Sequence, residues 1–116
     1  MRFSESLKKN SDFQKVYKNG KSRANRFLVM YVLENGTERN RLGISVSKKV
    51  GNSVVRHHIT RLLRESYRLQ EEMFHSGWDI VVIARAGAKK STYQQIEKAL
   101  LHLGNLHRII IRKEPE

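Results

Sequence analysis

The feature that most restricts the fold is Trp78-Asp79-Ile80-Val81-Val82-Ile83-Ala84, a run of strand length that follows Gly77 and is apolar at every position except Asp79. A strand with one face in water alternates polar and apolar residues. One without alternation must be covered on both sides, so it belongs at the centre of a sheet with layers above and below. A second segment, in which Leu42, Ile44 and Val46 alternate with Gly43, Ser45 and Ser47, reads as a strand with one buried face. Between the two, Val55, Ile59, Leu62, Ser66, Leu69 and Met73 recur every three or four residues, with Leu63 widening the stripe. That spacing predicts a helix. Strand, helix and strand in this order assemble as a βαβ unit with parallel strands, for which the usual crossover is right-handed.

The rest of the chain supplies the layers. Ser11-Asp12-Phe13-Gln14 has the form of a capping box and Asn19-Gly20 that of a helix stop, predicting a helix over residues 11–19 with Phe13, Val16 and Tyr17 on one face. Residues 27–33 are continuously apolar and close on the turn dipeptide Asn35-Gly36, so this strand and the next are antiparallel neighbours. Ser91-Thr92-Tyr93-Gln94 offers a further cap, and Tyr93, Ile96, Leu100, Leu103 and His107 mark a closing helix that stops near Gly104-Asn105. Ile109, Ile110 and Ile111 either extend that helix or dock on another surface. At 116 residues, without internal repeats, the chain suits one α+β domain with one core, spanning 1–116, its tail from 108 unassigned.

Charge points to the partner. A formal net charge of +12 and a pI near 10.4 call for a polyanion: RNA, DNA or an anionic membrane. Between positions 39 and 64 there are seven Lys or Arg and no Asp or Glu; residues 1–26 carry eight more against Glu5 and Asp12. At about 100° per residue, His57, Arg61, Arg64 and Arg68 fall opposite the apolar stripe, with Arg56 on its flank beside Thr60 and Tyr67. The turn Gly51-Asn52-Ser53 opens this helix just after Lys48 and Lys49, where free amides and the helix dipole suit a phosphate. An ordinary cap with two solvated lysines is the plainer reading of the turn alone. The arginine face argues against it, because an ordinary exposed helix intersperses acids for i, i+4 pairing. Arginine also grips phosphate bidentately. Phe13, Tyr17, Phe27 and Tyr31 are either core or a platform on which unpaired bases stack.

Other classes are excluded more simply. There is no cysteine, so disulfides, thiolate metal sites and a thiol nucleophile are ruled out. No run of 18 apolar residues and no signal-peptide core is present, which predicts a cytoplasmic protein without a membrane partner. His57 and His58 diverge on a helix, and His102 and His107 are five apart, so neither is a good ligand pair. Without clustered carboxylates or a nucleophile–base set, catalysis and metal binding by this chain alone are not expected.

The segment from Gly43 through Ser45-Val46-Ser47-Lys48-Lys49-Val50-Gly51-Asn52-Ser53-Val54-Val55-Arg56 to Ile59 and Arg61-Leu62-Leu63-Arg64-Glu65 closely resembles the signature of the bacterial ribonuclease P protein subunit. Leu7-Lys8-Lys9-Asn10, Asp12-Phe13-Gln14, Val16-Tyr17, Arg26-Phe27 and Asp79-Ile80-Val81-Val82-Ile83-Ala84-Arg85 extend the resemblance over nearly the whole chain. The family's Arg-Asn-Arg, followed by Ile and a basic residue, is replaced here by Arg56-His57-His58-Ile59-Thr60. The resemblance implies a noncatalytic subunit of a ribonucleoprotein endonuclease that removes the 5′ leader of precursor tRNA. Its RNA subunit carries the chemistry with Mg2+, and no protein partner is expected. Carried over by position, Lys48, Lys49, Asn52, Ser53, Arg56, Arg61, Arg64 and Arg68 would contact the catalytic RNA. Phe13, Tyr17, Phe27 and Tyr31 would form the cleft for the single-stranded leader. The implied fold is an α-β-β-β-α-β-α sandwich like the second domain of ribosomal protein S5, with an extra short strand at residues 21–24 and the uncommon left-handed crossover in place of the right-handed one. A ribosomal protein or general RNA chaperone of similar architecture is the alternative from another class, and a helix-based DNA-binding module a third.

Overall fold

A computed structural model describes residues 1–111; the last part of the unassigned tail, 112–116, lies outside the described residues. Eight elements follow in the order β1 (Ser4–Ser6), α1 (Asn10–Asn19), β2 (Lys21–Ala24), β3 (Leu28–Glu34), β4 (Asn40–Ser45), α2 (Ser53–Gln70), β5 (Trp78–Ala84) and α3 (Tyr93–Leu106). The five strands make one mixed sheet in the order β1-β4-β5-β3-β2, with β5 in the middle. β4 runs parallel to β5 across the α2 crossover and β3 runs antiparallel to β5, so β3 and β4, expected as neighbours from their short connection, are separated by the central strand. The doubly apolar run is therefore the central strand. The expected short strand at residues 21–24 is β2, paired antiparallel with β3.

The two faces of the sheet are covered unequally. Leu28, Met30 and Val32 of β3 and Ile80, Val82 and Ala84 of β5 meet Ile59, Leu63 and Tyr67 of α2 and Ile96, Leu100 and Leu103 of α3 in the main core. Fully burying one such aliphatic side chain is worth about 1.5–3 kcal/mol. On the other face α1 alone lies over a smaller cluster of Leu7, Val16 and Val81, with Phe13, Tyr17, Tyr31, Leu33 and Ile83 only partly covered.

Several local expectations shift. β1 adds a strand that no sequence pattern marks; its three residues pair parallel with Asn40, Arg41 and Leu42. The amides of Arg2 and Phe3 donate to the buried Glu71 carboxylate, which anchors the segment. α1 begins one residue before the proposed capping box, and its cap residue Lys9 makes no side-chain capping bond. α2 is turned about its axis relative to the sequence stripe: Tyr67 is fully buried, whereas Leu69 and Met73 are 55% and 40% exposed. Tyr67 can enter the core because its hydroxyl finds Ser4 Oγ at 2.8 Å and Asn40 Nδ2 at 3.4 Å, so its polar end stays satisfied. α2 ends at Gln70 and passes into a 3-10 turn, Glu71–Met73, well before Gly77. For α3 the working capping box is Thr92 with Gln95, one residue after the expected one. The isoleucines dock: His75 N donates to Ile109 O and Ile111 N to Met73 O, each at 2.7 Å.

Candidate nucleic-acid interface

The entry to α2 is built for an exposed, rigid turn. Val50 is buried and its amide bonds Ser47 O at 3.0 Å, which leaves Lys48 and Lys49 exposed at the tip. Gly51 follows because a Cβ there would sit 2.8 Å from a Val55 methyl. Asn52 is the N-cap, its side chain accepting from Val55 N at 3.0 Å. The amides of Ser53 and Val54, ahead of the first intrahelical bond, have no protein partner among the described residues. Two lysines and two free amides thus share one end of the helix.

From there the basic residues separate by exposure. His57, Arg61, Arg64 and Arg68 are exposed on the side of α2 away from the core, as their spacing predicts, and His58 is exposed as well. Arg68 forms an i, i+3 ion pair with Glu65, and its hydrogen bond holds the Glu65 carboxyl below the usual range. Among the described residues Arg61 and Arg64 enter no ion pair, so their charge remains uncompensated. Arg56 is half-buried on the flank and lines a shallow concavity of about 220 Å³ with Val46, Ser53, His57 and Thr60. Its backbone carbonyl accepts from Thr60 Oγ1 at 2.8 Å.

The opposite face of the sheet carries a different chemistry. Phe13 and Tyr17 of α1 have ring centroids 6.4 Å apart, and Tyr17 meets Tyr31 of β3 edge-on at 5.1 Å and 74°. All three rings are half-buried. Phe13 lies against Gly43, where a Cβ would come within 2.7 Å of its ring; the glycine makes room for the aromatic. Burial pushes the Tyr17 hydroxyl up from its ordinary value, a hydrogen bond with Ser45 offsetting part of the effect. Phe27 is not in this cluster. It packs against the main core on the other face, with the Arg26 guanidinium 5.5 Å from its ring centre. Residue parity along β3 suggests otherwise, but Phe27 precedes the strand and is free of its alternation.

Arg41 joins α1 to the sheet, a role that sequence spacing does not signal. Its guanidinium donates to both Asp79 oxygens, at 2.8 and 2.6 Å, and reaches Asp12 of α1 at 3.5 Å. Burial by itself would raise the Asp79 carboxyl. The hydrogen bonds from Arg41 and Asn35, with the Arg41 charge, outweigh it and hold the group below the ordinary range. The only sequence signal is that Arg41 and Asp79 occupy facing strands, at positions that pair in the β4–β5 ladder.

Two surfaces result: a cationic helix face suited to phosphates and an open aromatic cleft suited to stacking. The ribonuclease P family model matches residues 1–107. The ribonuclease P protein component of Lachnoclostridium phytofermentans is 62% identical over 113 residues, covering 97% of both chains. That of Alkaliphilus metalliredigens is 54% identical over 103 residues, 89% of this chain and 93% of the relative. Among solved structures, the RNase P protein of Staphylococcus aureus superposes with a TM-score of 0.85 at 42% identity, covering 93% of this chain and 99% of that one. The Thermotoga maritima RNase P protein gives 0.81 at 32% identity, covering 87% and 96%. With its motifs, its topology and nearly its full length in common with these proteins, the chain belongs to the ribonuclease P protein family.

Proposed function

We propose that this chain is the noncatalytic, RNA-binding subunit of a cytoplasmic ribonuclease P and acts on precursor tRNA by affinity and positioning. The observation that carries the reading is the division of chemistry between two faces: uncompensated Arg61 and Arg64 outside α2, and the Phe13–Tyr17–Tyr31 cluster over Gly43 beneath α1. Lys48, Lys49, Asn52, Ser53, Arg56, Arg61, Arg64 and Arg68 hold the catalytic RNA through its phosphates. Phe13, Tyr17 and Tyr31 stack bases of the single-stranded leader, and Phe27 supports the strand from its other side. Mg2+ enters with the RNA, which performs the hydrolysis. Among the described residues no three His, Asp or Glu side chains converge in a group that could hold a metal ion. No helix among them is long and apolar enough to cross a membrane.

The test is cleavage of precursor tRNA by the cognate catalytic RNA at limiting magnesium. Adding the protein is expected to lower the magnesium requirement and to tighten precursor over mature tRNA. Failure of both would leave a ribosomal protein or general RNA chaperone as the reading. Phe13→Ala or Tyr17→Ala is expected to weaken precursor binding by about 1–3 kcal/mol, the usual worth of a stacked base, with mature tRNA unaffected.

A further inference from the structure

One basic concavity belongs to neither surface above. It lies where the edge strand β2 passes the C-terminal end of α3, an open groove of about 880 Å³ lined by Lys21, Arg23, His107 and Arg108 among others. Lys21 and Arg23 pair with Val32 and Met30, so in an antiparallel ladder their side chains stand on the face that bears α3. A second hollow of about 340 Å³ shares Lys21 and His107 with it and adds Asn19, Leu33, Glu34 and Trp78. Asn19 ends α1, and Leu33 packs in the aromatic cluster beneath α1. The two hollows thus share Lys21 and His107 and run from Arg108 along β2 to Trp78 and Leu33, where they reach the edge of the aromatic cluster.

The groove's chemistry matches a single strand of RNA: half-buried Trp78 gives a ring at the turn, and Lys21, Arg23 and Arg108 give cations beyond it. Glu34 is the one acid among the described lining residues, and it sits at the turn rather than in the basic stretch. His107 is a fixed wall. Its Nε2 lies 2.9 Å from Met30 O and must donate there, since a carbonyl only accepts; burial, and to a lesser degree Arg23, favours the neutral ring.

Arg108 supplies an independent indication. Ile109 N bonds Gly104 O and Arg108 N bonds Asn105 O, both at 3.0 Å, which is the Schellman pattern at the end of α3. Arg108 holds its left-handed position with φ 60°, where glycine is the residue without steric cost. A long cation stands where folding alone would favour none, and it projects from the end of the groove.

We propose that the β2–α3 groove is a second track for single-stranded RNA, which takes the leader nucleotides lying upstream of those held in the aromatic cleft. The inference rests on the leader reading of that cleft. Its test uses the reconstituted holoenzyme and precursor tRNAs with leaders lengthened stepwise. The variant Lys21→Ala/Arg23→Ala/Arg108→Gly is expected to match the native protein on short leaders. Beyond a threshold length it should bind about tenfold more weakly, with the salt slope reduced by about two for three lost single-strand contacts. Arg108→Gly alone should raise the thermal midpoint while weakening long-leader binding, opposite signs that a merely structural residue would not give. Because the chain lacks cysteine, Arg23→Cys carries one tethered cleavage reagent, whose cuts are expected in the upstream leader. Equal loss at all leader lengths, no loss at any, or cuts confined to the catalytic RNA would each overturn the proposal. If the native protein shows no preference for precursor over mature tRNA at any length, the leader reading itself has failed; a native preference with an unaffected groove variant fails the groove alone.

Discussion

Met30 and Tyr31 are adjacent in β3 and live in different molecules, physically speaking. Met30 faces the two-helix layer and is fully buried, as are Leu28 before it and, nearly so, Val32 after it. Tyr31 faces α1 and remains half-exposed, like Val29 and Leu33. A two-residue period sends one strand into both environments. On one side two helices close the core. On the other a single ten-residue helix leaves three rings partly open to water. The closed face holds most of the buried core, and the open one leaves aromatic area partly uncovered.

The contrast is sharpest in substitutions. Met30→Ala should cost about 2–5 kcal/mol of unfolding free energy, measured by denaturant titration, with the ratio of precursor to mature tRNA affinity unchanged. Tyr31→Ala should do the reverse, costing less stability and lowering that ratio. If both variants lose stability equally while selectivity is untouched, the two faces are equivalent and the contrast fails.

A smaller effect is expected where α1 meets the sheet. Asp79→Asn removes the charge that Arg41 grips and should cost about 2–3 kcal/mol, less than the 3–5 of a fully buried pair, because Arg41 keeps Asp12 and is one-third exposed. Since the folded Asp79 carboxyl titrates below its unfolded value near about 3.9, its stabilisation is complete above that pH and is lost as pH falls through the folded value. The native protein should lose stability on acidification below about pH 4, and Asp79→Asn should flatten that limb. An unchanged acid limb would place the titrating group elsewhere.

The smallest effects on folding belong to the outer side of α2. Arg61→Ala and Arg64→Ala should change stability by less than about 0.5 kcal/mol. Each should lower the slope of catalytic-RNA affinity against salt by about 0.9. Arg68→Ala should lower it less, since Glu65 already neutralises part of that charge. Equal slopes for all three would show that the Glu65 pair opens on binding.

Much of this arrangement is legible in the sequence because long periodic segments dominate it. The central strand follows from the consecutive apolar residues Ile80 to Ala84, and the arginine face of α2 from its position opposite the stripe. What escapes depends on partners distant along the chain. Tyr67 enters the core because residues 4 and 40 satisfy its hydroxyl, which no local pattern can announce. β1 has three residues, two of them exposed, and exists through its ladder to β4 and the Glu71 carboxylate rather than through propensity. The aromatic cleft is half legible: helical spacing aligns Phe13 with Tyr17, but only the sheet shows that Tyr31 joins them and Phe27 does not.

The absent side chain at Gly43 reaches further than its size suggests. Because the Phe13 ring rests on strand backbone, the aromatic cluster is fixed once α1 has docked on the sheet, and its three rings come from a helix and a strand rather than from a loop. Under the proposed leader reading, the entropy lost on association would then fall mainly on the incoming nucleotide strand. A leader that is flexible in solution should bind with a larger entropic penalty than one already stacked, so calorimetry across leader sequences would read the stiffness of the RNA rather than any rearrangement of the protein.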